Sequence, residues 1–209
     1  MTAGTDARNR SRVGPARRVA VLVTVAAVTA LVPVAAAGQA RPAGGRTLVA
    51  GDISTVAGGT RPGPAPATSV AFSPCGVSVT AGTVYAAAGQ TVRQVSRQGV
   101  LTTPAGTGSF GPLGDGGPAT GAYLDDVCGT AVDGSGNLLI ADGGDFRVRA
   151  VAAATGTFYG QQMQAGDIYT IAGPATSAEL NGPQGVAVTP AGNLIIADSQ
   201  NWRIRAVAG

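Results

Sequence analysis

Apolar positions in this chain come in short bursts, not at helical spacing. Leu138-Leu139-Ile140-Ala141, Gly185 to Thr189, Asn193 to Ala197 and Arg203 to Val207 are each four to five residues long and rich in β-branched or aliphatic side chains, with Gly, Pro, Asn or Asp between them. Runs of this kind predict β-strands. Leu138 to Ala141 is apolar at every position where a half-buried strand would alternate, which suits a strand covered on both faces. Asp133-Gly134-Ser135-Gly136-Asn137 and Thr189-Pro190-Ala191-Gly192-Asn193 read as tight hairpin connections, since each supplies residues that accept positive φ.

The bursts recur. GNLLIADGGDFRVRAV, from Gly136 to Val151, returns as GNLIIADSQNWRIRAV from Gly192 to Val207, identical at ten of sixteen positions. A Gly-led strand signal opens each unit: GDISTVAG (51–58), GVLTTPAG (99–106) and GDIYTIAG (166–173). A Pro-Ala-Thr loop follows at Pro66, Pro118 and Pro174, and then three short strands. The repeats span about 51–98, 99–165 and 166–209, the first of them degenerate. Periodic units that cannot bury their faces alone must stack. Four short antiparallel strands per unit, stacked radially, predict a β-propeller.

These residues resemble the NHL-repeat family of propellers. The resemblance rests on Asn-Leu-(Leu/Ile)-Ile-Ala-Asp, on Arg-(Val/Ile)-Arg-Ala-Val, on Gly-Val-Ala-Val before them and on (Ile/Val)-Ala-Gly after them, and it covers essentially all of 51–209. The first unit departs, with Ala86-Ala87-Ala88 standing where Ile-Ala-Asp is expected. The resemblance implies that the three strands after the Pro-Ala-Thr loop are the inner, second and third strands of a blade, and that the Gly-led strand of the next repeat is its outermost. On that phasing the strand Asp52 to Ala57 is left over to close the last blade. The fold expected is therefore all-β, about three blades of an NHL-type propeller. Because propellers close with roughly four to eight blades, either two copies form a six-bladed homodimer or the chain is part of a larger ring. The latter is preferred.

Charge and address come from the amino terminus. Arg8, Arg10, Arg12, Arg17 and Arg18 precede an apolar run from Val19 to Val32, then Pro33 and small residues up to Ala40. This is the layout of a secretory signal peptide over 1–40, here a hydrophobic helix, followed by a linker over 41–50. The product is expected to be secreted or in the cell envelope, touching a membrane only if that segment stays uncleaved. The basic balance belongs to the leader: residues 41–209 hold nine Arg against ten Asp plus Glu, a net of −1. A nucleic-acid partner is disfavoured accordingly.

The chain has no His and no Lys. That removes the Ser-His-Asp triad, most zinc sites and Schiff-base chemistry. The expectation is a non-enzymatic binding or scaffold module without cofactor or metal, for a protein, peptide or glycan; the alternatives are a membrane-anchored sensor-type module or a nonfunctional fragment. Cys75 and Cys128 hold one repeat position, with Gln184 as the third, and are expected to form a blade-to-blade disulfide. Asp142 with Arg147, and Asp198 with Arg203, are expected to brace the second-to-third-strand turns as ion pairs. Phe146 and Trp202 are expected as wedges between blades. Tyr123, Asp125, Asp126, Glu179, Asn181 and Gln184 lie on connections into the inner strands, where the resemblance places ligands. Asp115, in the long Gly-rich loop from Gly106 to Tyr123, is a further candidate on the ligand face; with Asp125 and Asp126 it clusters carboxylates that could bind calcium, but the spacing matches no strong calcium motif.

Overall fold

The computed structural model describes residues 54–58, 66–174 and 179–209. The leader, the linker, Asp52-Ile53 and residues 175–178 lie outside the described residues, and so do the expectations placed on them. The described chain is all-β, with short 3-10 turns as its only helices.

The first blade pairs β1 (Gly76–Thr80), β2 (Thr83–Ala88), β3 (Thr91–Val95) and β4 (Leu101–Ala105) in chain order, each neighbour antiparallel. The second blade adds a short strand, β5 (Gly117–Pro118), sent out by the long loop. Its main strands are β6 (Val127–Val132), β7 (Leu138–Asp142) and β8 (Arg147–Val151). A two-stranded hairpin of β9 (Gly156–Phe158) and β10 (Gln161–Met163) precedes its outer strand, β11 (Asp167–Ala172). The third blade has three strands, β12 (Pro183–Val188), β13 (Leu194–Asp198) and β14 (Arg203–Val207).

The phasing read from the sequence holds in the first two blades: β4 and β11, both Gly-led, close the sheet begun by the preceding repeat. The four-strand count does not hold throughout, because the second sheet carries β5 as a fifth strand. The leftover Gly-led segment does not form a strand over its described part, 54–58. Two Pro-Ala-Thr loops serve one structural purpose. Each starts a 3-10 turn, at Ala67–Ser69 and Ala119–Gly121, whose first N–H donates to the leading glycine's carbonyl, Ala67 to Gly99 at 3.1 Å and Ala119 to Gly166 at 2.9 Å.

β7 shows why the sheets stack. Leu138 and Ile140 point to the first blade and pack with Ala87, Val92, Leu124, Val127 and Ile168. Leu139 points the other way, to a core with Val148, Ile171, Leu180, Leu194 and Ile196. Alternate residues of a strand face opposite sides, so a strand apolar throughout has two cores to fill. The inner strands meet backbone to backbone. A Cβ on Gly76 would strike the Cys128 carbonyl, and one on Gly129 would lie 2.6 Å from the Gln184 carbonyl. Only glycine permits that approach.

Phe146 and Trp202 are not wedges. Both sit in turns with left-handed backbone, φ 56° and 52°, and Trp202 is 92% exposed. A turn residue with positive φ projects away from the pleat that would carry it between sheets.

Candidate functional site

The charged residues of the two intact blades form one repeated unit, and its partners differ from those the spacing suggested. Asp142 and Asp198 lie opposite Arg147 and Arg203 in register, but their carboxylates pair with the arginines two residues on. Arg149 reaches Asp142 at 3.4 Å and Arg205 reaches Asp198 at 2.5 Å. Each carboxylate also accepts a backbone N–H from the loop entering the inner strand, from Asp125 at 2.8 Å and Asn181 at 2.7 Å. Each arginine in turn donates to that loop's carbonyls, at Tyr123 and Glu179. Arg147 faces outward instead, to the Asp145 carbonyl and the Thr170 hydroxyl. Residues two apart share a strand face, so sequence alone could not choose between the arginines. The loop carbonyls that need a donor lie beside the second.

This unit absorbs most of the proposed ligand-face residues. Asp115 is 2.7 Å from Arg149 and accepts the Thr170 hydroxyl at 2.6 Å, so the long loop is pinned to the buried guanidinium. Asn181 and Glu179 work through their backbones, with the Asn201 amide also donating to the Glu179 carbonyl. Tyr123 packs its ring over Gly111. Gln184 has its carbonyl against Gly129 and its side chain at the surface. Asp126 is exposed and lines a cavity.

Burial dominates the electrostatics of Asp142 and pushes its carboxyl up to about 7, with Asp145 adding repulsion against the lowering effects of the Asp125 N–H and Arg149. Asp198 moves the other way. Burial raises it, but donation from Asn181, Asn201 and Arg205 outweighs that and holds it below the usual carboxylate range.

Cys75 and Cys128 are joined, with Cα atoms 4.9 Å apart, directly across the meeting of the first two inner strands. Beside them opens a cavity of about 530 Å³ lined by Phe72, Ser73, Cys75, Ala88, Gln90, Thr91, Arg93, Asp126 and Cys128 among others. A second cavity of about 470 Å³ shares Thr91, Arg93 and Gly108 with it and adds Thr103, Thr107 and Thr120. Together they make a groove at the junction of the first two blades, walled by hydroxyls and amides. Arg93 is common to both cavities. It donates to the Thr103 hydroxyl at 2.6 Å, while its buried Nε has no partner. No carboxylate among the described residues lies within ion-pair distance of it. Arg93 is not among the residues that the sequence singles out; the signal available is Ala88 in the place of the expected Asp. Among the described residues no group of His, Cys, Asp and Glu is arranged to hold a metal ion, and no helix is long and apolar enough to cross a membrane.

Comparison with known proteins agrees with the repeat reading where it is most regular. Residues 180–206, which span the third blade, match the NHL repeat. No curated protein matches the chain. Among solved structures, an auxiliary nutrient binding protein from Bacteroides ovatus ATCC 8483 is similar at 18% identity and TM-score 0.45, over 60% of this chain and 34% of its own. One from Bacteroides thetaiotaomicron VPI-5482 is similar at 15% identity and TM-score 0.48, over 62% and 36%. Virginiamycin B lyase from Staphylococcus aureus is similar at 15% identity and TM-score 0.36, over 65% and 41%. The chain thus spans between a third and about two-fifths of the length of these structures.

Proposed function

We propose that this chain is an exported, non-enzymatic binding module of NHL-type propeller repeats, holding a peptide, protein or glycan segment in the groove between its first two blades. The observation that carries this reading is the groove itself, where hydroxyl side chains converge on Arg93, an arginine with no carboxylate partner among the described residues. Asp142, Arg149, Asp198 and Arg205 are instead tied into the blade framework. A pocket of a few hundred Å³ with a few convergent polar groups is what small ligands require. Export is supported by the Cys75–Cys128 bond, since such bonds persist in oxidising compartments. The absence of His and Lys from the sequence supports a module that binds without reacting.

The test is a glycan and peptide array probed with the oxidised, exported chain and with Ser73→Trp, which fills the mouth of the groove from an exposed position without internal hydrogen bonds. Retention of a ligand by the wild type and its loss in the variant is the expected result. A blank array, or binding indifferent to Ser73→Trp, refutes the reading.

A second reading concerns assembly. The outward faces of the first and third blades both carry exposed β-branched residues, Val77 and Val79 at 66% and 67%, and Ile204 at 74%. Two copies joined first blade to third would cover both faces at once and complete a six-bladed ring.

A further inference from the structure

We propose that the groove recognises a carboxylate, specifically that of an acidic sugar, and that Arg93 is the residue that binds it. This rests on the binding-module reading above and names the ligand class for the same groove.

The argument begins with register. Arg149 pairs with Ile140 and Arg205 with Ile196, each two residues before the strand-ending aspartate. Arg93 pairs with Ala86, and the strand-ending position two residues on is Ala88. Arg93 is therefore the first blade's copy of the repeated arginine, and Ala88 is the missing Asp142 or Asp198. The outer-strand threonine is kept, as Thr103. The carboxylate is gone, and Arg93 makes none of the loop-carbonyl contacts that Arg149 and Arg205 make. Ala88 and Arg93 line the same cavity, beside Cys75.

A partly buried guanidinium stripped of its carboxylate is costly, because its buried N–H loses water without gaining an acceptor. The Nε of Arg93 is buried without a partner, as is that of Arg149. Arg149, however, has two carboxylates on its other nitrogens; Arg93 has none among the described residues, only the Thr103 hydroxyl. A ligand carboxylate entering the groove would take up the acceptor role that Asp142 and Asp198 have in their blades, with the planar fork geometry that guanidinium groups favour. Thr91, Thr103 and Thr107, with Ser73 and Gln90, surround that point with hydroxyls and an amide. This lining suits a ligand rich in hydroxyls more than an apolar peptide side chain. Asp126 stands in the same cavity without pairing to Arg93, and it would accept from ligand hydroxyls while steering the acidic group to the arginine.

The experiment is calorimetric titration of the oxidised, exported chain with glucuronate, glucose and N-acetyl-dialanine, repeated on Arg93→Met, Ala88→Asp and Ser73→Trp. Glucuronate is expected to bind at least about tenfold more tightly than glucose, and Arg93→Met to remove about that factor. Ala88→Asp is expected to abolish glucuronate binding while raising the thermal midpoint by about 2–4 °C, because it restores the internal pair. That variant separates lost binding from lost folding. Tighter binding of N-acetyl-dialanine than of glucuronate overturns the sugar assignment. Glucose and glucuronate bound equally, lost in Ser73→Trp but not in Arg93→Met, overturns the carboxylate while leaving the groove as a binding site. No binding by any of the three, together with a blank array, removes both proposals.

Discussion

Asp142 and Asp198 hold one register position in successive blades, yet their carboxyls move in opposite directions. Both carboxylates are out of solvent; the difference lies in their donors and in how deeply their arginines are enclosed. Arg149 is fully enclosed and divides one positive charge between Asp115 and Asp142, whereas Arg205 is 28% exposed and serves Asp198 alone among the described carboxylates. Removing Asp142 by Ala is expected to cost about 3 kcal/mol, the lower end for a broken buried pair, because Asp115 remains. Removing Asp198 is expected to cost about 1–2 kcal/mol, with Arg205 partly answered by water. Urea titrations of both variants check the order. The pH dependence follows from Asp142. Its folded value, about 7, lies above the ordinary 3.8, so between those values the folded chain holds a proton that the unfolded chain has lost. Its contribution to stability is full below about pH 4 and declines as pH rises through 7. Asp142→Asn should flatten that decline in denaturant midpoints measured from pH 4 to 8. The lowered Asp198 acts oppositely, losing its contribution as the solution becomes acid.

At the scale of the element, the inner strands carry the arrangement and the disulfide locks it. Cys75 and Cys128 are 53 residues apart and bridge two strands already in backbone contact. Cys75→Ser with Cys128→Ser is expected to lower stability by about 4 kcal/mol, measured as a shifted denaturation midpoint that reductant reproduces in the wild type. The strands of the second and third blades were legible because their apolar bursts repeat almost residue for residue, and β7 was legible as a doubly covered strand. The hairpin of β9 and β10 was not. Gly156-Thr157-Phe158 and Gln161-Gln162-Met163 show no apolar run, and they are held by pairing with each other and by Tyr159, whose hydroxyl donates to Asp133 at 3.0 Å. The groove was half legible. Ala88 is a visible departure from the repeat, but that it orphans Arg93 follows only from the strand register, where a shorter turn brings position 93 into the place of 149 and 205.

For the molecule as a whole, the outward faces of the first and third blades set solution behaviour. Val79→Asp and Ile204→Asp should each convert a dimer to a monomer on a sizing column with light scattering, if two copies complete the ring. Either substitution suffices, because a ring of two copies uses both faces twice. A wild-type monomer whose mass neither change alters would refute the two-copy ring.

The offset between repeat and blade has a consequence for how such a chain can change length. The first two sheets each take an outer strand from the following repeat, so each of those blades is laced to its successor and their repeat boundaries do not coincide with boundaries in space. Duplicating or deleting one whole unit would keep the glycine-against-carbonyl contact between inner strands, while the Cys75–Cys128 bond belongs to the first junction. The scheme is modular, and the first unit, with Ala88 at the framework carboxylate's position, is still held to its neighbour through the inner strands and the disulfide.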